Sequence, residues 1–369
     1  MFKRNKICTA ALAALGGTLM VTSLPVLAQG QTVEVTGSRI KRIDAEGALP
    51  ITTISREEIQ ASGATTVAEF MRSVPFASTG NFRPQSGSSA QSLAEINLRG
   101  LGAERTLVLI DGRRAAKGPM IGDRVDVNII PMAMIERVEI LRGPQSAQFG
   151  RNTYAGAINY VTRAPLAAPA GEVKLTGAAH DTREASGWWS GPLVDDKALL
   201  WIGAGHREHD GEWTNSRDGS DIGGEKSDEL SAKLQLQPTD ALDATLRLAW
   251  QRTDDDHFPM YLQPRTLNNC CFRTADAPRA REYYVGKAQP ENIVNLYTDL
   301  LEQNGGAGNQ LDRSSGSLAL NWNIDGMTLT SLTGVLKDEL ESGLDSSYAG
   351  YASPAAPVIR EVRAIEYAK

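Results

Sequence analysis

The sequence predicts a compact α+β domain followed by an antiparallel membrane β-barrel, in a chain that leaves the cytoplasm. Three observations point there. The chain opens on a basic, then apolar leader. Its first part mixes capped helices with strands. Its second part alternates apolar and polar residues with period two over stretches of about 10 residues.

Lys3, Arg4 and Lys6 form a basic head, Ile7 to Val21 is an apolar run, and Val26-Leu27-Ala28 is a small-residue exit. This is the pattern of a secretory signal peptide over 1–28, cut after Ala28. The run is short for a span of about 20 residues, which argues against an anchor. Elsewhere no apolar run reaches about 18 residues, so a membrane role requires strands. With 35 glycines, 41% hydrophobic residues and a net charge of −6, the composition lacks the basic excess that nucleic acid demands. Cys8 departs with the leader, leaving adjacent Cys270 and Cys271. A bond between neighbours would be strained, and no C-x-x-C site exists.

Ser55-Arg56-Glu57-Glu58 and Thr66-Val67-Ala68-Glu69 each read as a capping box ahead of a short helix. Ala94 to Gly100, Thr106 to Arg114, Ile135 to Leu141 and Ala157 to Arg163 read as strands, with Asp111-Gly112 as a tight turn. Between Ile135 and Arg163 the glycines 143, 150 and 156 are no phosphate cradle. Arg151 stands where a P-loop carries lysine, and the residues after Gly156 are strand-like where a phosphate loop needs a helix.

The texture changes at Pro165 to Gly171. Beyond it, Leu230, Ala232, Leu234 and Leu236 alternate with Ser231, Lys233, Gln235 and Gln237. Leu242, Ala244, Leu246, Leu248 and Trp250 alternate with Asp243, Thr245, Arg247 and Gln251. Leu318, Leu320, Trp322 and Ile324 repeat the pattern. A soluble sandwich alternates too, but connection length favours a barrel. Short links at 194–196, 238–240 and 325–326 interleave with long ones at 210–224, 253–313 and 339–357. About eight strands follow from this pattern. Trp201, Trp250 and Trp322 lie near strand ends and are candidates for an interfacial girdle or for a core. Asp254-Asp255-Asp256 reads as a charged outer loop, with cation binding as the alternative. His206, His209 and His257 lack ligand spacing, so no metal site and no cofactor are expected.

An exported α+β domain leading into a membrane barrel resembles a TonB-dependent outer-membrane receptor. The residues carrying the likeness are "TVEVTGSRI" (32–40), "ITTISREEIQASGATTVAEFMRSVPF" (51–76), "INLRGLGAERTLVLIDGRR" (96–114) and "VDVNIIPMAMIERVEILRGPQSAQFGRNTYAGAINYVTR" (125–163). The resemblance implies a signal peptide at 1–28, a TonB box and linker at 29–48, a plug domain at 49–165 and the first barrel strands at 171–369.

It further implies active uptake of a scarce nutrient, an iron–siderophore complex foremost and a carbohydrate as alternative. The organism would be Gram-negative and the receptor a monomer in outer-membrane lipid. The family's TonB-binding segment maps to Thr32, Val33, Glu34, Val35, Thr36 and Gly37, whose alternation suits strand addition to a partner's sheet. Arg99 and Arg142 match plug arginines that meet glutamates on the inner barrel wall, with Glu361 a candidate partner. Gly100, Gly112, Gly143, Gly150 and Gly156 are expected at plug turns. By position on outward plug loops, Phe82, Arg83, Gln85, Arg113, Arg114 and Lys117 are ligand-binding candidates. No catalytic residues are expected, because no nucleophile–base pair or carboxylate dyad stands out. Family barrels of this kind have about 22 strands around a plugged lumen, so the chain is expected to be an incomplete receptor. The alternative is a plug-only periplasmic binding protein or a decayed gene product.

Overall fold

The computed structural model describes residues 51–64, 66–75, 77, 94–117, 125–127, 130–257, 293–294, 296, 307–345 and the backbone of 358–368. The leader, the 32–37 segment, Phe82, Arg83, Gln85, Cys270 and Cys271 lie outside them.

The first domain is built on a five-stranded sheet in the order β1-β4-β5-β2-β3. Its strands are β1 (Ile51–Ile54), β2 (Thr106–Ile110), β3 (Arg113–Arg114), β4 (Ile135–Arg142) and β5 (Gly156–Thr162). The β2–β5 pair is parallel and the others antiparallel. Every residue of β2 is buried, as expected of a strand covered on both faces. One face carries the main core, with Ile59, Phe70, Met71, Val108, Val138, Ile158 and Tyr160 among its members. The other buries Leu107, Leu109, Leu141 and Ala157.

Two short helices close the main face, α1 (Arg56–Ala61) and α2 (Val67–Ser73). At α1 the capping box is complete: Glu58 N–H donates to Ser55 Oγ and Ser55 N–H to Glu58 Oε2. At α2, Thr66 Oγ1 accepts from Glu69 N–H. These bonds satisfy amides that a helix start leaves open. A single turn, α3 (Ser146–Phe149), precedes Gly150.

The expected strand at 94–100 does not form. Ala94 to Asn97 are irregular and Leu98–Gly100 is a 3-10 turn, with Arg99 at φ 57° and Gly100 at φ 70°. Two successive left-handed residues cannot continue a pleated strand. Leu98 N–H instead donates to Thr106 Oγ1.

The Asp111–Gly112 turn has φ 48° and 75°, the primed geometry that matches strand twist. It is tied to β5 from both residues. Asp111 accepts from Thr162 N–H at 2.8 Å and Thr162 Oγ1 at 2.7 Å, and Gly112 N–H donates to Asn159 Oδ1 at 2.9 Å.

The second part is one eight-stranded antiparallel sheet, ordered β16-β15-β14-β12-β11-β8-β7-β6. Its strands are β6 (Ala170–Ala178), β7 (Thr182–Val194), β8 (Ala198–His209), β11 (Glu225–Thr239), β12 (Leu242–Asp255), β14 (Gly308–Ile324), β15 (Met327–Asp345) and β16 (Val358–Ala368). A small sheet of β9 (Trp213–Asn215), β10 (Asp221–Ile222) and β13 (Ile293–Val294) lies in the long connections. Each large-sheet strand pairs with its neighbours in sequence, as in an up-and-down wall, and among the described residues β6 and β16 do not meet. Strands of up to 19 residues extend past the expected limits, so Asp254 and Asp255 belong to β12 rather than to a loop. Asp255 is 1% exposed.

The alternation sorts in the sense opposite to a soluble protein. Apolar side chains face out: Val173, Leu175, Leu230, Leu248, Leu318 and Leu329 are all exposed. Polar ones face in: Ser231, Arg247, Arg313, Asp338 and Ser342 are buried. This is the lipid-facing and lumen-facing division of an outer-membrane wall. Trp250 and Trp322 lie on the outer face, whereas Trp201 is 1% exposed and turns inward beside Lys233. Strand parity explains the difference, because Trp201 shares its face with the inward residues of β8.

Gly156 stands at φ 143°, and a Cβ there would collide with the Leu141 carbonyl. Gly156→Ala is therefore expected to destabilise the first domain by about 3 kcal/mol, read as a lowered Tm and faster proteolysis. Among the described residues the Tyr160 hydroxyl is buried without a hydrogen-bond partner, and burial pushes its pKa above the ordinary tyrosine value. An unfolded tyrosine ionises near pH ~10 while the folded one stays protonated. Stability should thus fall as pH rises above about 10. Tyr160→Phe should remove that loss and raise stability by about 1 kcal/mol at neutral pH, as urea titration at the two pH values would report.

Candidate functional site: the interface between plug and wall

The first domain sits against the inward face of the large sheet, and charged side chains make the contact. Arg313 on β14 is 3% exposed and faces Asp338, its cross-strand partner on β15. Its Nε donates to Asp338 Oδ1 at 2.7 Å and its Nη2 to Asp338 Oδ2 at 2.8 Å, a bidentate fork. Its Nη1 reaches Asp126 Oδ2 of the first domain at 3.2 Å. Asp126 also accepts from Ala94 N–H, which joins the irregular 94–97 segment to the wall.

Midway along β11, Lys233 Nζ donates to Thr162 Oγ1 at 2.7 Å and lies 3.7 Å from Asp111 Oδ2. The hairpin turn and the end of β5 are thereby held to the wall. At the exit from the domain, Arg163 stacks over the Trp188 ring at 4.2 Å and lies 3.7 Å from Glu136. Leu166 N–H donates to Ser190 Oγ. Arg56 on α1 donates to the carbonyls of Met132 and Ile135, both at 2.8 Å. Burial lowers the pKa of Arg56 and of Arg163, and neighbouring Glu172 and Glu136 oppose the shift.

Toward the end bearing the long connections, Arg207 Nη1 pairs with Glu225 Oε1 at 3.0 Å. His209 Nε2 lies 3.7 Å from Glu225, and His206 Nδ1 lies 2.7 Å from Asp228. Among the described residues no group of three His, Cys, Asp or Glu side chains is placed to hold a metal ion.

The sequence-derived positions fall as follows. Arg99 is exposed and Arg142 half-buried at the end of β4. Glu361 pairs by backbone register with Ser342, and its side chain lies outside the described residues. The described contacts are separate from the expected arginine–glutamate ones: carboxylates of the first domain, Asp111 and Asp126, meet cations of the wall, Lys233 and Arg313. The inward parity of Lys233 was visible in the alternation of its strand, but its partners were not.

Arg113 and Arg114 are half-buried on β3, and Lys117 is half-buried beyond it. Arg114 Nη2 donates to the carbonyls of Phe149 and Arg151 at 2.9 and 2.8 Å, holding the chain around Gly150. Gly143 and Gly150 have φ 98° and 76°.

Residues 44–157 match the family of the TonB-dependent Receptor Plug Domain. The vitamin B12 transporter BtuB of Vibrio vulnificus is 31% identical over 183 residues, 49% of this chain and 28% of that protein. The iron-regulated outer membrane virulence protein of Vibrio cholerae is 28% identical over 225 residues, 56% and 31% of the two chains. Among solved structures, the ferric yersiniabactin uptake receptor FyuA of Yersinia pestis superposes with TM-score 0.59 at 18% identity, over 80% of this chain and 42% of that one. The ferric enterobactin receptor PfeA of Pseudomonas aeruginosa gives TM-score 0.57 at 17% identity, over 86% and 45%.

Residues 44–157 are thus a plug domain of the TonB-dependent receptor family, and the plug seated on an antiparallel wall has the fold of the solved receptors. The chain spans under a third of the length of these two curated relatives and under half of these solved receptors.

Arg313→Met would leave Asp126 and Asp338 buried without their cation. It should cost about 3–5 kcal/mol, and adding Asp338→Leu should recover part of the loss. Thermal unfolding of the single and double variants, with protease sensitivity of the plug, checks this.

Proposed function

We propose that this chain works in TonB-dependent uptake of a scarce nutrient across the outer membrane, with an iron–siderophore complex as the cargo. The observation that supports it best is the polar seat of the plug. A domain held by buried ion pairs against a polar inner wall, with apolar residues turned to lipid, blocks a lumen and can be displaced. An apolar interface of the same extent would resist a pull, because separating it exposes hydrophobic area. Separating Lys233 from Asp111 lets water solvate both groups.

The cargo assignment draws on the relatives, whose names speak of iron regulation and of ferric yersiniabactin and enterobactin. Vitamin B12, carried by the other curated relative, is the competing cargo. In this reading Thr32 to Gly37 add as a strand to TonB, which transmits force from the inner membrane. Phe82, Arg83 and Gln85 contact ligand on the outward side, and Arg113, Arg114 and Lys117 add positive potential. Arg99 and Arg142, with Glu361, belong to the plug–wall contacts that loosen when the plug moves.

Val35→Pro removes an amide donor and fixes φ within the strand-forming segment. In cells carrying the receptor it should abolish uptake of labelled ferric siderophore while leaving surface binding of the same complex unchanged. Equal uptake by wild type and variant would overturn the TonB reading. Absence of any siderophore binding, with cobalamin bound instead, would overturn the cargo.

A further inference from the structure

We propose that the cavity between the β2–β3 hairpin and the inner face of β11, β12, β14 and β15 binds a small oxyanion, a phosphate or a carboxylate group. The cavity shares Arg113 and Arg114 with the uptake reading, but the site turns on Arg247 of the wall, which that reading does not use.

The cavity has a volume of about 320 Å³. Four cations line it, Arg113, Arg114, Lys233 and Arg247, and among the described residues Asp111 is the one carboxylate in its lining. That carboxylate is heavily engaged, since Asp111 accepts two hydrogen bonds from Thr162 and sits near Lys233. Arg114 is spent on the carbonyls of Phe149 and Arg151.

Arg247 is left over. It is 7% exposed, and among the described residues its Nη1 is buried without a hydrogen-bond partner. It also stands directly opposite Lys233 across the β11–β12 ladder. Like charges at opposed positions repel, and a buried cation needs an anion or a full set of acceptors. An oxyanion among these groups supplies both. It accepts from the guanidinium fork, which suits planar or tetrahedral oxyanions, and it neutralises the Lys233–Arg247 repulsion. Thr245 and Ser317 in the lining offer hydroxyl donors. Small residues leave the space open: the Arg113 guanidinium lies against Gly334, where a Cβ would force it to shift. Water alone would fill the volume but leave Lys233 and Arg247 with the single carboxylate of Asp111 between them.

The test is isothermal titration calorimetry of the purified full-length receptor in detergent, at constant ionic strength, with inorganic phosphate and with citrate as probes. Saturable binding is expected, weakened about tenfold or more by Arg247→Gln and unchanged by Arg105→Gln, an exposed arginine elsewhere on the plug. Phosphate binding would mark a free inorganic anion as the source. Citrate binding alone would mark the carboxylates of an organic molecule passing through. Either result, with its loss in Arg247→Gln, supports the site. No saturable binding of either probe, or binding indifferent to Arg247→Gln, overturns it. Should Arg247→Gln fail to fold, the wild-type titration and Arg247→Lys decide. The lysine keeps the charge without the fork, so reduced but measurable binding is expected and undiminished binding counts against the site.

Discussion

The arrangement depends on how Arg313 is buried. A guanidinium at 3% exposure between Asp126 and Asp338 is tolerable because its donors are matched by carboxylate oxygens on two sides. One carboxylate belongs to the wall and the other to the plug, so neither part satisfies the arginine alone. This makes the contact a registering device. It specifies which face of the first domain meets which strands, where apolar packing would allow sliding.

A single rule then accounts for both halves of the molecule. The plug has an ordinary interior, with its sheet covered by capped helices on one face and a smaller apolar cluster on the other. The wall reverses the rule: leucines and valines point away from the protein, and serines, arginines and aspartates point toward it. The reversal is stable where lipid replaces water outside. Between the two lies a polar seam with cavities in it. The seam's charge is uneven. Arg313 is matched by two carboxylates, while Arg247 and Lys233 share Asp111.

The Asp111–Gly112 turn joins these levels. Its primed geometry follows from Asp-Gly between two strand segments. Asp111 anchors the turn to Thr162, and the same carboxylate faces Lys233 on the wall. A residue that reads locally as a turn former thus also orients the plug within the wall.

Much of the fold was legible in the sequence because its causes are local. The Ser55 capping box, the Asp-Gly hairpin, the period-two strands and the alternation of short and long connections each depend on neighbours a few residues apart, and the structure contains them. The 94–100 segment was misread because its two left-handed residues oppose a pattern that looks extended. Trp201 shows a related limit: alternation puts it on one face of β8, and only the seating of the sheet against the first domain makes that face the inward one. The plug–wall contacts and the cavity were not legible at all. Arg313 and Asp126 are 187 residues apart, and nothing local in either marks the other. Sequence by itself determined the elements, their polarity and the two textures, through propensity and hydrophobic period. Tertiary structure alone decided which charges meet, because burying an ion requires a partner in space wherever the chain happens to supply it.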